Sequence, residues 1–224
     1  MIDLKTYLIA NSITFVCAIA GFIYGGVCFF KPKKAGYAQM ITLAVGCMAF
    51  GRLYQIVRIL TVGDFLNRFQ LGVLGVIGSL VFIFSANFGL MDRIGDDGSK
   101  RYLRYRLIPL AAPLSAVGIY LLVFPFSDQP KLVKIMAGVI TFFVMEASYF
   151  NLKHLIFPDV DFGILKCMRA YNLFALIFAA LCSAEMIAYS RSREVFVLVI
   201  SILMGLSLMI LTPCVKRGID RWTT

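Results

Sequence analysis

The sequence predicts an all-α, polytopic membrane protein: a single domain over residues 1–224 with seven transmembrane helices, the N-terminus outside, the C-terminus inside and no soluble domain. Three observations carry that reading. Sixty per cent of the residues are hydrophobic and 15% charged, giving a mean hydropathy of +0.86. The apolar residues come in runs of about 20, the length a helix rising 1.5 Å per residue needs to cross about 30 Å of hydrocarbon. Most of the charges sit in short segments between those runs.

Taken in order, helix 1 is expected over about residues 7–30, where Lys31-Pro32-Lys33-Lys34 stops it with charge and a helix breaker. Met1–Thr6 has no basic region and the following run lacks a small-residue cleavage site, so this is a retained helix and not a signal peptide. Helix 2 covers about 36–62 and turns at Gly63-Asp64. Helix 3 covers about 65–90 and ends at the polar loop Asp92–Lys100, whose Gly-Asp-Asp-Gly core cannot stay in lipid. Helix 4, about 105–124, contains Pro109 and Pro113, which predict a kink near its inner end. Helix 5 covers about 131–150, followed by a loop to Gly163 in which Phe157-Pro158-Asp159 breaks the helical pattern. Helix 6 covers about 164–189 and helix 7 about 195–215. Nine residues follow, so a signal sent inward is expected to pass to a separate cytoplasmic protein.

Orientation follows from the bases. Fourteen of the 22 Lys and Arg fall at one end, in Lys31–Lys34, Arg93–Arg106, Lys153–Arg169 and Lys216–Arg221. Six fall at the other, at Lys5, Arg68, Lys131, Lys134, Arg191 and Arg193. The richer end is cytoplasmic by the positive-inside rule. The net charge of +10 is thereby accounted for by topology and by contacts to anionic lipid heads at the basic inner face, with no need for nucleic acid. The expected location is the plasma membrane, as a multi-pass protein.

The remaining two bases, Arg52 and Arg58, lie inside helix 2, where an unpaired charge facing lipid costs at least about 2.5–3.5 kcal/mol. They are expected to face the bundle interior, with Gln55 between them on the same side. Counting from the expected helix starts, Arg58 and Glu185 of helix 6 reach the same level and are natural partners. Arg52 lies deeper, level with Asn11 of helix 1 and Gln70 of helix 3. These residues, together with Tyr54, outline an outward-opening cavity for a small polar, anionic ligand, because guanidinium matches carboxylate or phosphate with two parallel hydrogen bonds. The structural alternative is an ion pair of Arg52 with Glu185 that simply holds helices 2 and 6 together, Arg58 reaching to the interface. Toward the inner side, Glu146 and Asn172, near Ser85, Asn87, Ser148 and Tyr171, form a second candidate, a proton or ion site.

Catalytic motifs are absent from the sequence. The single histidine, His154, is expected in a solvated inner loop and cannot by itself supply the paired ligands of a membrane haem. Asp92, Asp96 and Asp97 alternate with bases in a Gly-rich loop and are expected to form a solvated turn, not a metal site. No hydrolase, metalloprotease, nucleotide or dinucleotide signature occurs, and no cofactor is expected. The six cysteines are scattered singly and read as membrane-core packing. Gly21, Gly25, Gly75, Ser79 and Gly205 make small-residue surfaces for close helix approach, a homodimer being their second use.

The functional expectation is therefore a receptor-like or sensory protein with its ligand in the outer half, an enzyme being the less favoured class. The alternative is a small-solute transporter or channel in which helices 1–3 and 5–7 form two blocks around helix 4.

Overall fold

The computed structural model describes residues 3–31, 35–62, 71–92, 96, 98–158, 163–191 and 193–223, excepting the Leu90 side chain. Every described regular element is helical, and seven helices are long and apolar enough to cross a membrane. They are α1 (Leu4–Phe29), α2 (Gly36–Val62), α3 (Gly72–Ala86), α4 (Lys100–Val123), α5 (Lys131–Ile156), α6 (Arg169–Ser190) and α7 (Glu194–Thr223). A π-turn, Asn87–Met91, continues α3, and a single helical turn, Ile164–Cys167, precedes α6. At the position where a kink is expected, α4 passes through a 3-10 turn, Ile108–Leu110, that contains Pro109.

Two helices outrun the sequence reading. α5 continues past Phe150 to Ile156, and α7 runs through Pro213 and past Val215 to Thr223. Hydropathy marks where a lipid-facing run stops, whereas a helix stops where its hydrogen bonds stop; Lys153, Lys216 and Arg217 end the first without ending the second. The expected start of helix 3 at residue 65 lies outside the described residues.

α1, α2, α3, α5, α6 and α7 pack in that order into a closed ring, α7 returning to α1, while α4 lies outboard against α5. One end of the bundle, here the amino end, joins the starts of α1 and α7 through the Asp3 N–H on Glu194 Oε1 at 2.8 Å. At the opposite, carboxyl end, Asp92 beyond α3 meets Lys153 near the end of α5. The ring is tight where its residues are small. A Cβ on Gly75 would lie 2.6 Å from both Cys47 O and Gly51 Cα, so α2 and α3 touch backbone to backbone. Across α1 and α7, Gly21 sits under Leu208 O, and its own carbonyl accepts from the Thr212 hydroxyl at 3.0 Å. These small-residue faces are thus occupied within one chain.

Met48, Leu80, Phe178 and Leu208 are fully buried and belong to one apolar core. Outward, the bundle shows the reverse of a water-soluble surface: Leu60 is 68% exposed and Leu122 79%. Large apolar side chains on every outer face, around a core that also contains charge, are what a hydrocarbon surrounding requires.

Candidate functional site

The interior charge is at the amino end. Arg52 is 3% exposed. Its Nη2 donates to both carboxylate oxygens of Glu185, at 2.7 and 2.6 Å, and lies 3.4 Å from the Met204 sulfur. Its Nη1 donates to Asn11 Oδ1 at 3.0 Å and to Gln55 Oε1 at 3.2 Å. One side chain of α2 therefore holds α1, α6 and α7. Removing two opposite charges from water costs several kcal/mol per ion, recovered only when the donors and acceptors are nearly all used. Asn11 is fixed in turn by donating Nδ2 to Tyr7 O at 2.8 Å, and the Tyr7 and Tyr189 rings close over this end with centroids 5.1 Å apart. Gln55 lies across Gly72, where a Cβ would come within 2.4 Å of its Cγ, so a glycine at the start of α3 makes room for the amide. Two buried atoms of the hub have no hydrogen-bond partner, Arg52 Nε and the Tyr189 hydroxyl.

Four of the seven residues expected at the outer site, Asn11, Arg52, Gln55 and Glu185, are thus in mutual contact. Glu185 is bonded by Arg52, where depth counting paired it with Arg58. The reason is the start of α6: the helix begins at Arg169 after a break at Met168, not at Ile164. Glu185 then lies 16 residues beyond Arg169, and Arg52 lies 16 beyond Gly36, so the two are level. Arg58 is half-buried, a turn and a half closer to the amino end. Tyr54 is 38% exposed and faces away from the hub, 200° around the helix from Arg52, so it is no part of the cluster. Gln70 lies outside the described residues.

At the carboxyl end the structure contradicts two expectations. His154 is 1% exposed, on α5 and not in a solvated loop. Asp92 and Asp96 do not form a solvated turn; Asp97 lies outside the described residues. Lys153 Nζ bonds Asp92 Oδ1 at 2.6 Å and Asp96 Oδ2 at 2.7 Å. His154 Nε2 lies 3.2 Å from Asp92 Oδ1. Arg106 of α4 grips Asp96 with Nε at 2.8 Å and with Nη2, while its Nη1 donates to Gly98 O at 3.2 Å. Burial alone would raise the Asp92 carboxyl, but hydrogen bonds from His154 and Lys153 hold it below the usual carboxylate range. Asp96 is held well below that range, chiefly by the Arg106 hydrogen bonds and against some burial, with Lys153 adding to the pull.

The π-turn aligns this end. The Asp92 N–H donates to Asn87 O, five residues back, so Asn87 and Asp92 stack one turn apart. In an α-helix they would diverge by 140°. Both therefore face α5, Asp92 toward Lys153 and His154, and Asn87 toward Asn151, whose Oδ1 accepts from Asn87 Nδ2 at 2.8 Å. The Tyr37 hydroxyl of α2 donates to Asn87 Oδ1 at 3.3 Å, and its ring meets Tyr171 of α6 edge to face with centroids 5.5 Å apart.

The second candidate pair is not assembled. Asn172 is buried, donates to Met168 O at 3.1 Å and leaves Oδ1 without a partner. Glu146 is half-buried and has no hydrogen bond or ion pair among the described residues. The sequence reading places Asn151, Lys153 and His154 in a loop that starts at residue 151, outside helix 5. The i, i+4, i+7 spacing of Phe150, His154 and Phe157 was the available sign that the helical face continued.

No group of three metal-ligating side chains occurs among the described residues, and the six cysteines are free thiols. No family model, curated protein or solved structure matches the chain.

Proposed function

We propose that this chain is a receptor-like, sensory protein of the plasma membrane, with its amino end outside and its basic carboxyl end in the cytoplasm. A small polar, anionic ligand reaches Arg52 from the outer side and competes with Glu185 for the guanidinium. The rearranged bundle is read by a separate cytoplasmic partner, with anionic lipid heads around the basic face.

The observation that carries this reading is the Arg52 hub. A carboxylate or phosphate matches the guanidinium whose Nη2 now bonds both Glu185 oxygens and whose buried Nε has no hydrogen-bond partner. The ligand's anion takes over the guanidinium, and Glu185, left without its cation, must take up a proton or turn toward water as α6 is released from α2. Those two helices stand on opposite sides of the ring and touch through long side chains at two levels, Arg52 with Glu185 and Tyr37 with Tyr171. Movement of α6 at the first level is therefore felt at the second, where Tyr37 continues to Asn87 and Asn151. Met48, Leu80, Phe178 and Leu208 belong to one continuous, fully buried apolar core. It favours signalling by helix movement over passage of a polar solute.

The test is thermal stability in detergent against a library of small anionic metabolites, run on wild type and Arg52→Ala. A ligand at 100 times its dissociation constant adds about 2.7 kcal/mol to the folded state. A stabilising compound whose effect disappears in Arg52→Ala, and persists in Glu146→Gln, is the expected result. Stabilisation retained in Arg52→Ala refutes the site. The transporter reading draws on the unpartnered, buried Asn172 Oδ1 and Tyr171 hydroxyl. It predicts flux of the same compound into liposomes, stopped by Glu146→Gln.

A further inference from the structure

We infer that the groove between α6 and α7 at the amino end is a site for an anionic membrane lipid, its acyl chain along the groove and its phosphate on Arg191 and Arg193. The inference requires only that the chain cross a bilayer. It is independent of the ligand proposed for Arg52 and lies at the opposite end from the basic face already assigned to lipid heads.

The groove arises from small residues on one helix facing large ones on the next. Ala184 and Ala188, one turn apart on α6, leave a recess walled by Ile187, Phe196 and Ile200. Its volume is about 340 Å³, within the range of roughly 300–1,000 Å³ typical of small-molecule sites. Two of its lining residues, Ala188 and Ile200, pack with Val197 and with Ala10 of α1 in one buried apolar cluster. A polar molecule placed here alone would lose its hydrogen bonds to water without replacement. An acyl chain would lose none.

The mouth has the opposite character. The α6 end is closed by backbone bonds from Arg191 N to Ile187 O at 3.0 Å and from Arg193 N to Ala188 O at 3.1 Å. These bonds hold both arginines beside the groove. Each is exposed, and neither has an ion-pair partner among the described residues. The adjacent Glu194 is turned to the Asp3 N–H and so is engaged elsewhere. Two free guanidiniums above an apolar slot complement a phosphodiester bearing net negative charge. They repel the ammonium of a zwitterionic head.

Native mass spectrometry of the detergent-solubilised chain, titrated with phosphatidylglycerol or phosphatidylcholine, reads occupancy lipid by lipid. Phosphatidylglycerol is expected to bind about tenfold or more tightly than phosphatidylcholine. That preference should vanish in the double variant Arg191→Ala with Arg193→Ala, whose side chains are exposed and whose backbone bonds are kept. It should fall likewise in Ala184→Phe, which fills the slot. Arg101→Ala with Arg104→Ala, at the carboxyl end, should retain it. Equal binding of the two lipids, or an undiminished preference in the Arg191/Arg193 variant, overturns the proposal. Arg52→Ala separates the two readings: loss of the small anionic ligand with lipid retained leaves this site standing whatever becomes of the hub.

Discussion

The two ionic clusters use the same chemistry in different surroundings. Arg52 and Glu185 form a single pair, with side chains 4% and 8% exposed, and each depends on the other for charge. At the carboxyl end, Asp92 and Asp96 share Lys153, and Arg106 and His154 each add a bond, with the Asp92 side chain 22% exposed. The hub is sealed and without redundancy; the carboxyl-end cluster is redundant and touches water. A sealed pair responds to loss of one partner, or to its replacement by a ligand, as a whole. A shared cluster degrades gradually.

The largest effect should therefore come from Glu185→Ala, which strands a buried guanidinium. A loss of about 3–5 kcal/mol is expected from removing one member of a buried pair. It should show as a large fall in the melting midpoint in detergent, with recovery of most of the loss when Arg52→Met is added. The comparison breaks if Glu185→Ala costs no more than Asp92→Ala. Next is Gly75→Ala, where a methyl group meets backbone at 2.6 Å and only separation of α2 from α3 relieves it. Overpacking of this kind costs about 1–3 kcal/mol. Because Gln55 lies on the same α2–α3 contact, ligand response at Arg52 should weaken with stability.

Legibility divided along the same line. Seven apolar helices, the 3-10 turn at Pro109 and the convergence of Asn11, Arg52, Gln55 and Glu185 follow from hydropathy, proline chemistry and the cost of buried charge. The Arg52–Glu185 pair is the structural alternative read from the sequence, whereas depth counting favoured Arg58 for Glu185, because a break at Met168 resets the depth of everything on α6. The carboxyl-end cluster was hidden for a different reason. Charged residues next to an apolar run read as solvated, yet the π-turn after α3 and the extra turns of α5 bring Asp92, Lys153 and His154 together at the bundle end. Pattern reading assumes 3.6 residues per turn and cannot anticipate a turn that departs from it.

A smaller effect, of a different form, is expected at Asp96. Its folded-state carboxyl titrates below its unfolded value of about 3.9, so its contribution is fully present above that pH. The contribution is lost as pH falls through the folded value. The Asp96 contribution, read as the difference between wild type and Asp96→Asn, should be constant from pH 7 to pH 5 and be lost below about pH 4. Asp96→Asn should flatten that acid limb at a cost of about 1–2 kcal/mol at neutral pH, since Lys153 keeps Asp92 and Arg106 keeps Gly98 O. An acid limb unchanged in Asp96→Asn would assign the titration elsewhere.

The smallest effect separates the hub from its neighbours on the same helix. Tyr54 and Gln55 are adjacent in sequence and were both assigned to the cavity, but only Gln55 bonds Arg52. Tyr54→Ala removes a ring that faces outward and should change stability by no more than about 0.5 kcal/mol, with ligand response intact. Gln55→Ala removes one of two neutral acceptors from a buried guanidinium and should cost about 1–3 kcal/mol. If the two variants behave alike, Arg52 is held by Glu185 and Asn11, and Gln55 belongs to the α2–α3 packing. If Tyr54→Ala alone abolishes the ligand response, the ligand enters along the outer face of α2 and the hub is not its binding site.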